Sequence, residues 1–159
     1  MMANFPCRIF CLIALFVSAL VQRCWADDKN AKCPLMTESD ADPEFTVEFE
    51  GKKVLLCCDK CTERWHGNEK YIIKLAGDAL PQFKGMESAL GLEKVTLLPQ
   101  KYCPIKTDNI VLPSSPSTEF KGVKVYFWDQ KALEEWKKDP DKHAKRAIAA
   151  GLLPQLEGK

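Results

Sequence analysis

The chain carries one pattern twice, about seventy residues apart, and the repeat limits what it can fold into. The first copy reads Cys33-Pro34-Leu35, then Phe49-Glu50-Gly51-Lys52-Lys53-Val54-Leu55-Leu56-Cys57, then Trp65. The second reads Cys103-Pro104-Ile105, then Phe120-Lys121-Gly122-Val123-Lys124-Val125-Tyr126-Phe127-Trp128, then Trp136. The tails match as well, Ala76-Gly77-Asp78-Ala79-Leu80-Pro81-Gln82 against Ala150-Gly151-Leu152-Leu153-Pro154-Gln155. The length allows one ordinary domain, or two very small ones that need reinforcement.

Each unit reads as a β-hairpin followed by helix, an α+β architecture of two small tandem modules. Phe45, Val47 and Phe49 alternate with Thr46 and Glu48, the period of a half-buried strand. Glu50-Gly51 supplies a tight turn and Val54 to Cys57 the returning strand. A helix is predicted from Cys58 or Asp59 through Trp65, resuming from Glu69 to Ala76. In the second unit Asp129 is a suitable N-cap for a helix from Gln130 to Lys138. Asp139-Pro140 opens another that runs to Ala150, closed by Gly151 and Pro154. A short helix is predicted around Met86 to Leu90, and Val111 to Ser117 reads as an irregular loop.

Residues 1–26 read as a secretory signal peptide. Arg8 precedes the uncharged run Ile9 to Val21, and Cys24-Trp25-Ala26 offers a cleavage site before Asp27. The run is shorter than the roughly 20 apolar residues of a membrane span. The expected organisation is therefore a leader over 1–26, a first module over 27–83, a connector over 84–102 and a second module over 103–156. The expected location is secreted or periplasmic, with no membrane span once the leader is removed. With 23 Lys and Arg against 22 Asp and Glu, nothing in the charge points to nucleic acid.

Of eight cysteines, Cys7, Cys11 and Cys24 fall in the leader, leaving Cys33, Cys57, Cys58, Cys61 and Cys103. An odd number in an oxidising compartment means a free thiol, a metal ligand or a bond between chains. Cys57 ends a strand and Cys61 stands one helical turn later, so the two can aim at one point. Cys33 must fold back to join them. Thiolates suit a soft ion such as zinc or copper(I). Candidates for a fourth position are Cys58, His66, Met36 or an external ligand. Cys58 is adjacent to Cys57 in the chain, His66 needs a break near Gly67, and the Met36 thioether would favour copper(I). In the second unit Trp128, Asp129 and Ala132 stand where Cys57, Cys58 and Cys61 are, and only Cys103 survives, matching Cys33. Aromatic packing by Tyr126, Phe127, Trp128 and Trp136 is expected there, with His143 an exposed helical residue.

Cys33-Pro34, the hairpin Glu50-Gly51-Lys52-Lys53-Val54, the cluster Cys57-Cys58-x-x-Cys61 and the aromatics Trp65 and Tyr71 together resemble the YHS and TRASH group of metal-binding domains. The second copy adds Trp136-Lys137-Lys138-Asp139-Pro140-Asp141-Lys142, similar to that family's ending. A leader followed by paired modules resembles secreted bacterial proteins of the planctomycete type that carry such domains. The resemblance implies treble-clef-like or zinc-ribbon-like modules linked to heavy-metal sensing, trafficking or resistance, with Cys33, Cys57 and Cys61 as ligands. It departs at Cys33-Pro34-Leu35-Met36, where many members have a second cysteine.

Three functions follow from these residues. The first is an exported protein binding one zinc or copper(I) ion through Cys33, Cys57 and Cys61, with Cys58 as the fourth ligand. It would buffer, carry or sense the metal, or use it as a structural staple; any protein partner is unspecified. The second is a disulfide-stabilised interaction module without metal. The third is a thiol–disulfide oxidoreductase using Cys58-Asp59-Lys60-Cys61, although the βαβ context of such enzymes is missing. No other catalytic constellation stands out.

Overall fold

The computed structural model describes residues 29–158. The leader read over 1–26 lies outside them. The fold is α+β, with two antiparallel hairpins and five short α-helices among the described residues. In the first unit β1 (Asp42–Phe49) pairs with β2 (Lys52–Leu56), followed by α1 (Asp59–Trp65) and α2 (Glu69–Ala76). The connector holds α3 (Glu87–Leu90). In the second unit β3 (Ser117–Phe120) pairs with β4 (Val123–Tyr126), followed by α4 (Gln130–Lys138) and α5 (Pro140–Ala149). No helix among the described residues is long and apolar enough to cross a membrane.

The hairpin turns are built alike. Glu50 and Gly51 have φ of 50° and 71°, and Lys121 and Gly122 have φ of 51° and 73°. Positive φ at both central residues defines the primed turn whose twist matches that of paired strands. Only the second position is glycine, so Glu50 and Lys121 each carry a side chain in the left-handed region. Helix boundaries follow local chemistry. The Asp129 carboxylate accepts the Ala132 N–H at 2.9 Å, and that of Asp139 accepts the Lys142 N–H at 3.1 Å. Pro140 occupies the first turn of α5, where its missing N–H costs nothing.

A second correspondence lies in side chains that no periodicity marks. Asn30 clamps the return strand of the first hairpin: its Nδ2 donates to the Leu55 carbonyl at 2.6 Å and its Oδ1 accepts the Leu55 N–H at 3.0 Å. Gln82 donates to Asn30 Oδ1 at 3.2 Å and to the Lys53 carbonyl at 2.9 Å. In the second unit Gln100 does the same for Tyr126, at 2.7 and 2.9 Å. Gln155 supports Gln100 at 3.0 Å and reaches the Lys124 carbonyl at 3.5 Å. Gln100 precedes the expected start of the second unit, yet serves its hairpin as Asn30 serves the first. Edge strands leave backbone groups unpaired, and these buried amides satisfy them.

The two units share one core. Buried Leu35, Val54, Leu56, Trp65 and Ile72 of the first join Ile110, Val125, Phe127, Trp136 and Leu153 of the second in one cluster. Backbone bonds cross between the two Cys-Pro loops: Ile110 N–H donates to the Leu35 carbonyl at 2.9 Å and Thr37 N–H to the Asp108 carbonyl at 3.0 Å. This sharing answers the size problem, because each unit completes the other's buried surface. His143 differs from expectation. It is half-buried and stacks on Trp136 with centroids 6.2 Å apart, because α4 and α5 fold back on one another.

Candidate metal centre

Cys33, Cys57 and Cys61 come together from three different elements. Cys33 is held by its own loop, where its N–H donates to the Ser39 carbonyl at 2.9 Å. Cys57 directly follows β2, and Cys61 lies in the first turn of α1. The three sulfurs all lie within 4.8 Å of one another, with Cys33 and Cys61 buried and Cys57 half-buried. Cys57 Sγ is 3.6 Å from Cys61 Sγ. Four thiolates around zinc at about 2.3 Å would stand roughly 3.8 Å apart, so the Cys57–Cys61 spacing matches a tetrahedral soft ion and Cys33 lies within about 1 Å of that geometry. All five described cysteines are free thiols.

The candidates for a fourth donor divide. Met36 Sδ is 3.7 Å from Cys57 Sγ and Cys58 Sγ is 3.8 Å from it. Neither is buried with the triad; both are half-buried and stand on its outer side. Cys58 is outside the set whose sulfurs are all in mutual reach. Its side chain diverges because its backbone is extended, φ −172° and ψ 165°, at the N-cap of α1. His66 is exposed at the C-cap of α1 and lies outside the set of donor atoms in mutual reach. For the redox alternative, the sulfur touching Cys61 belongs to Cys57 rather than to Cys58, the other end of the Cys-x-x-Cys.

Three thiols this close cannot all ionise independently. Cys33 is lowered from an ordinary 9.0 to about 6, first because Cys61 hydrogen-bonds to its sulfur, against the opposing effect of burial. Cys57 is pushed up to about 12, first by burial and then by the charge on Cys33. Cys61 is raised too, first because its proton is engaged by Cys33 and then by burial. One negative charge is thus shared near neutral pH, held chiefly at Cys33. The sign of the linkage follows. Between about 6 and 9 the unfolded chain holds a proton that folded Cys33 has lost, so stability rises with pH. Above 9 folded Cys57 keeps a proton that the unfolded chain has lost, so stability falls towards 12. The stability of the reduced, metal-free protein, measured by denaturant unfolding, is expected to peak near pH 9, and a monotonic profile across that range would contradict the shared-charge arrangement.

The second unit supplies the rim of the centre, which the sequence did not reveal. Trp128 and Asp129, standing where the first unit has Cys57 and Cys58, are turned onto α1. Arg64 lies 4.1 Å above the Trp128 ring and donates to Ser115 Oγ at 2.7 Å. Lys60, one turn earlier on α1, pairs with Asp129 at 2.7 Å, and Lys106 pairs with the same carboxylate oxygen at 2.9 Å. Burial pushes the Asp129 carboxyl up, but these lysines and the Ala132 N–H outweigh it and hold it well below the usual range. The helix that carries Cys61 is therefore gripped by the degenerate copy of its own unit. Cys103, the one surviving cysteine of that copy, is buried, with its sulfur accepting the Lys106 N–H at 3.4 Å.

Comparison with family models, with curated proteins and with solved structures gave no match to this chain.

Proposed function

We propose that this chain is an exported metal-binding protein that holds one soft ion, zinc or copper(I), through Cys33, Cys57 and Cys61. The observation that carries this reading is the meeting of three sulfurs within 4.8 Å from three separate elements. Buried cysteines are common, but three converging from distant parts of a chain form a ready donor set. The YHS and TRASH resemblance of Cys33-Pro34 and Cys57-Cys58-x-x-Cys61 points the same way. So does the predicted leader, because an exported protein that keeps several free thiols needs something to protect them. With three buried or half-buried protein sulfurs and two more at the rim, the centre suits handling of an exchangeable ion better than a sealed structural staple.

Cobalt(II) is a spectroscopic stand-in for zinc. Titration of the reduced protein should produce the intense near-ultraviolet thiolate charge-transfer band, saturating at one equivalent. The band should be lost in a Cys33→Ser variant and kept in Cys103→Ser. Saturation at no defined ratio, or an equal loss in both variants, would remove the proposed function.

A further inference from the structure

Beside the triad, and separated from it by Met36 and Cys58, lies a cleft of about 510 Å³ between the two units. Met36 and Cys58 line it from the first unit, and Lys106, Thr107, Asp108 and Trp128 line it from the second. Both first-unit residues place sulfur against Cys57, at 3.7 and 3.8 Å. Cys57 in turn touches Cys61 at 3.6 Å. The sulfurs therefore form a graded series, from half-buried Met36 and Cys58 through Cys57 to buried Cys61 and Cys33.

Cys58 carries a second indication. It is the N-cap of α1, a position that favours Asp, Asn, Ser or Thr, and its side chain makes no capping bond. Its counterpart Asp129 does cap α4, through the Ala132 N–H. A cysteine at this position forgoes the capping bond that Asp, Asn, Ser or Thr would supply. A residue that runs against local preference is expected where function requires it. The charges at the cleft balance, Lys60 and Lys106 against Asp108 and Asp129. Selection there falls to sulfur rather than to charge, and a thioether beside thiolates favours copper(I) among the soft ions.

We propose that Met36 and Cys58, with Cys57, form an outer sulfur port through which copper(I) reaches and leaves the buried Cys33–Cys57–Cys61 triad, in a cleft whose far wall is the second unit. The proposal rests on metal binding by the triad. The ion moves by ligand exchange: a bond to Met36 or Cys58 forms as one to a triad cysteine breaks, any proton that the Cys58 thiol gives up passes to the thiolate released, and the metal's oxidation state is unchanged. Met36 and Cys58 are carriers of the ion in transit rather than its resident ligands.

The test loads reduced protein anaerobically with copper(I) as its acetonitrile complex, measures copper per chain after desalting, and follows withdrawal by bathocuproine disulfonate in stopped flow. Met36→Leu and Cys58→Ser should each retain one copper and slow withdrawal by about tenfold or more. Thr107→Trp, at an exposed cleft position that leaves every sulfur in place, should slow it as well. Unchanged withdrawal rates in all three variants overturn the port. Loss of copper at equilibrium from Met36→Leu or Cys58→Ser also overturns it, by making that residue a resident ligand. Wild-type protein that emerges from desalting without copper fails at the earlier step, and the port fails with it.

Discussion

Replacing Trp128 with Ala is expected to destabilise the protein by about 3–5 kcal/mol, the usual range for truncating a buried tryptophan. Trp128 is only 2% exposed, although it lies at the junction of the units rather than inside one of them. Its ring carries the Arg64 guanidinium at 4.1 Å, with the Lys60 ammonium at 5.6 Å. Its indole N–H meets the Asn109 amide oxygen at 3.3 Å once that amide is oriented to satisfy both of its ends. Truncation removes the packing and leaves a half-buried cation without its aromatic face, a contact that adds about 0.5–2 kcal/mol. Trp128→Phe retains a ring for Arg64 and should recover part of the loss. A double-mutant cycle with Arg64→Ala should show coupling, since the two groups are in contact. Urea unfolding gives both quantities. A loss below about 1 kcal/mol in Trp128→Ala would mean that the units do not depend on this junction.

The second large effect is stabilisation by the metal itself. An ion that binds the folded chain and not the unfolded one adds about 4 kcal/mol when it is present at a thousand times its dissociation constant. The triad exists only in the fold, because Cys33, Cys57 and Cys61 are brought together by the loop at residues 33–39, β2 and α1. Thermal unfolding of reduced protein should therefore shift upward on titration with copper(I) or zinc and return on chelation. The increment should vanish in Cys61→Ser. It should persist in Cys103→Ser, even though that buried substitution lowers the baseline. Uptake at neutral pH should also release protons, because Cys57 and Cys61 are pushed above their ordinary values and must lose theirs to coordinate. An increment that is equal in the two variants would place the ion elsewhere.

Much of the architecture is local and was legible for that reason. The turns at Glu50-Gly51 and Lys121-Gly122, the cap at Asp129 and the restart at Asp139-Pro140 are set by residues within a few positions of each other. The triad was legible because strand and helix periods place Cys57 and Cys61 on one side of a turn, and the repeat gave Cys33 a fixed place ahead of the hairpin. What escaped was partner choice at long range. Nothing near Arg64 in sequence indicates that it will lie on Trp128, and nothing near Asn30 indicates that it will grip Leu55. Trp128 read as core of its own unit because an aromatic at the end of a strand usually is. It is buried in the core, and its ring also carries Arg64 of the other unit, since its place corresponds to that of Cys57, at the outlet of the hairpin. Cys58 is the expected fourth ligand despite its adjacency to Cys57, and with extended backbone at the N-cap its sulfur lines the cleft and lies outside the mutually close triad.

Three cysteines of the first unit are expected to hold one metal ion. Elemental mass spectrometry of the protein, exported to an oxidising compartment and purified without added chelator, tests it directly beside a Cys57→Ser/Cys61→Ser variant. Close to one zinc or copper per chain is expected in the wild type and none in the variant. Metal-free wild-type protein with fewer than five titratable thiols would contradict it, and would place the cysteines in disulfides instead.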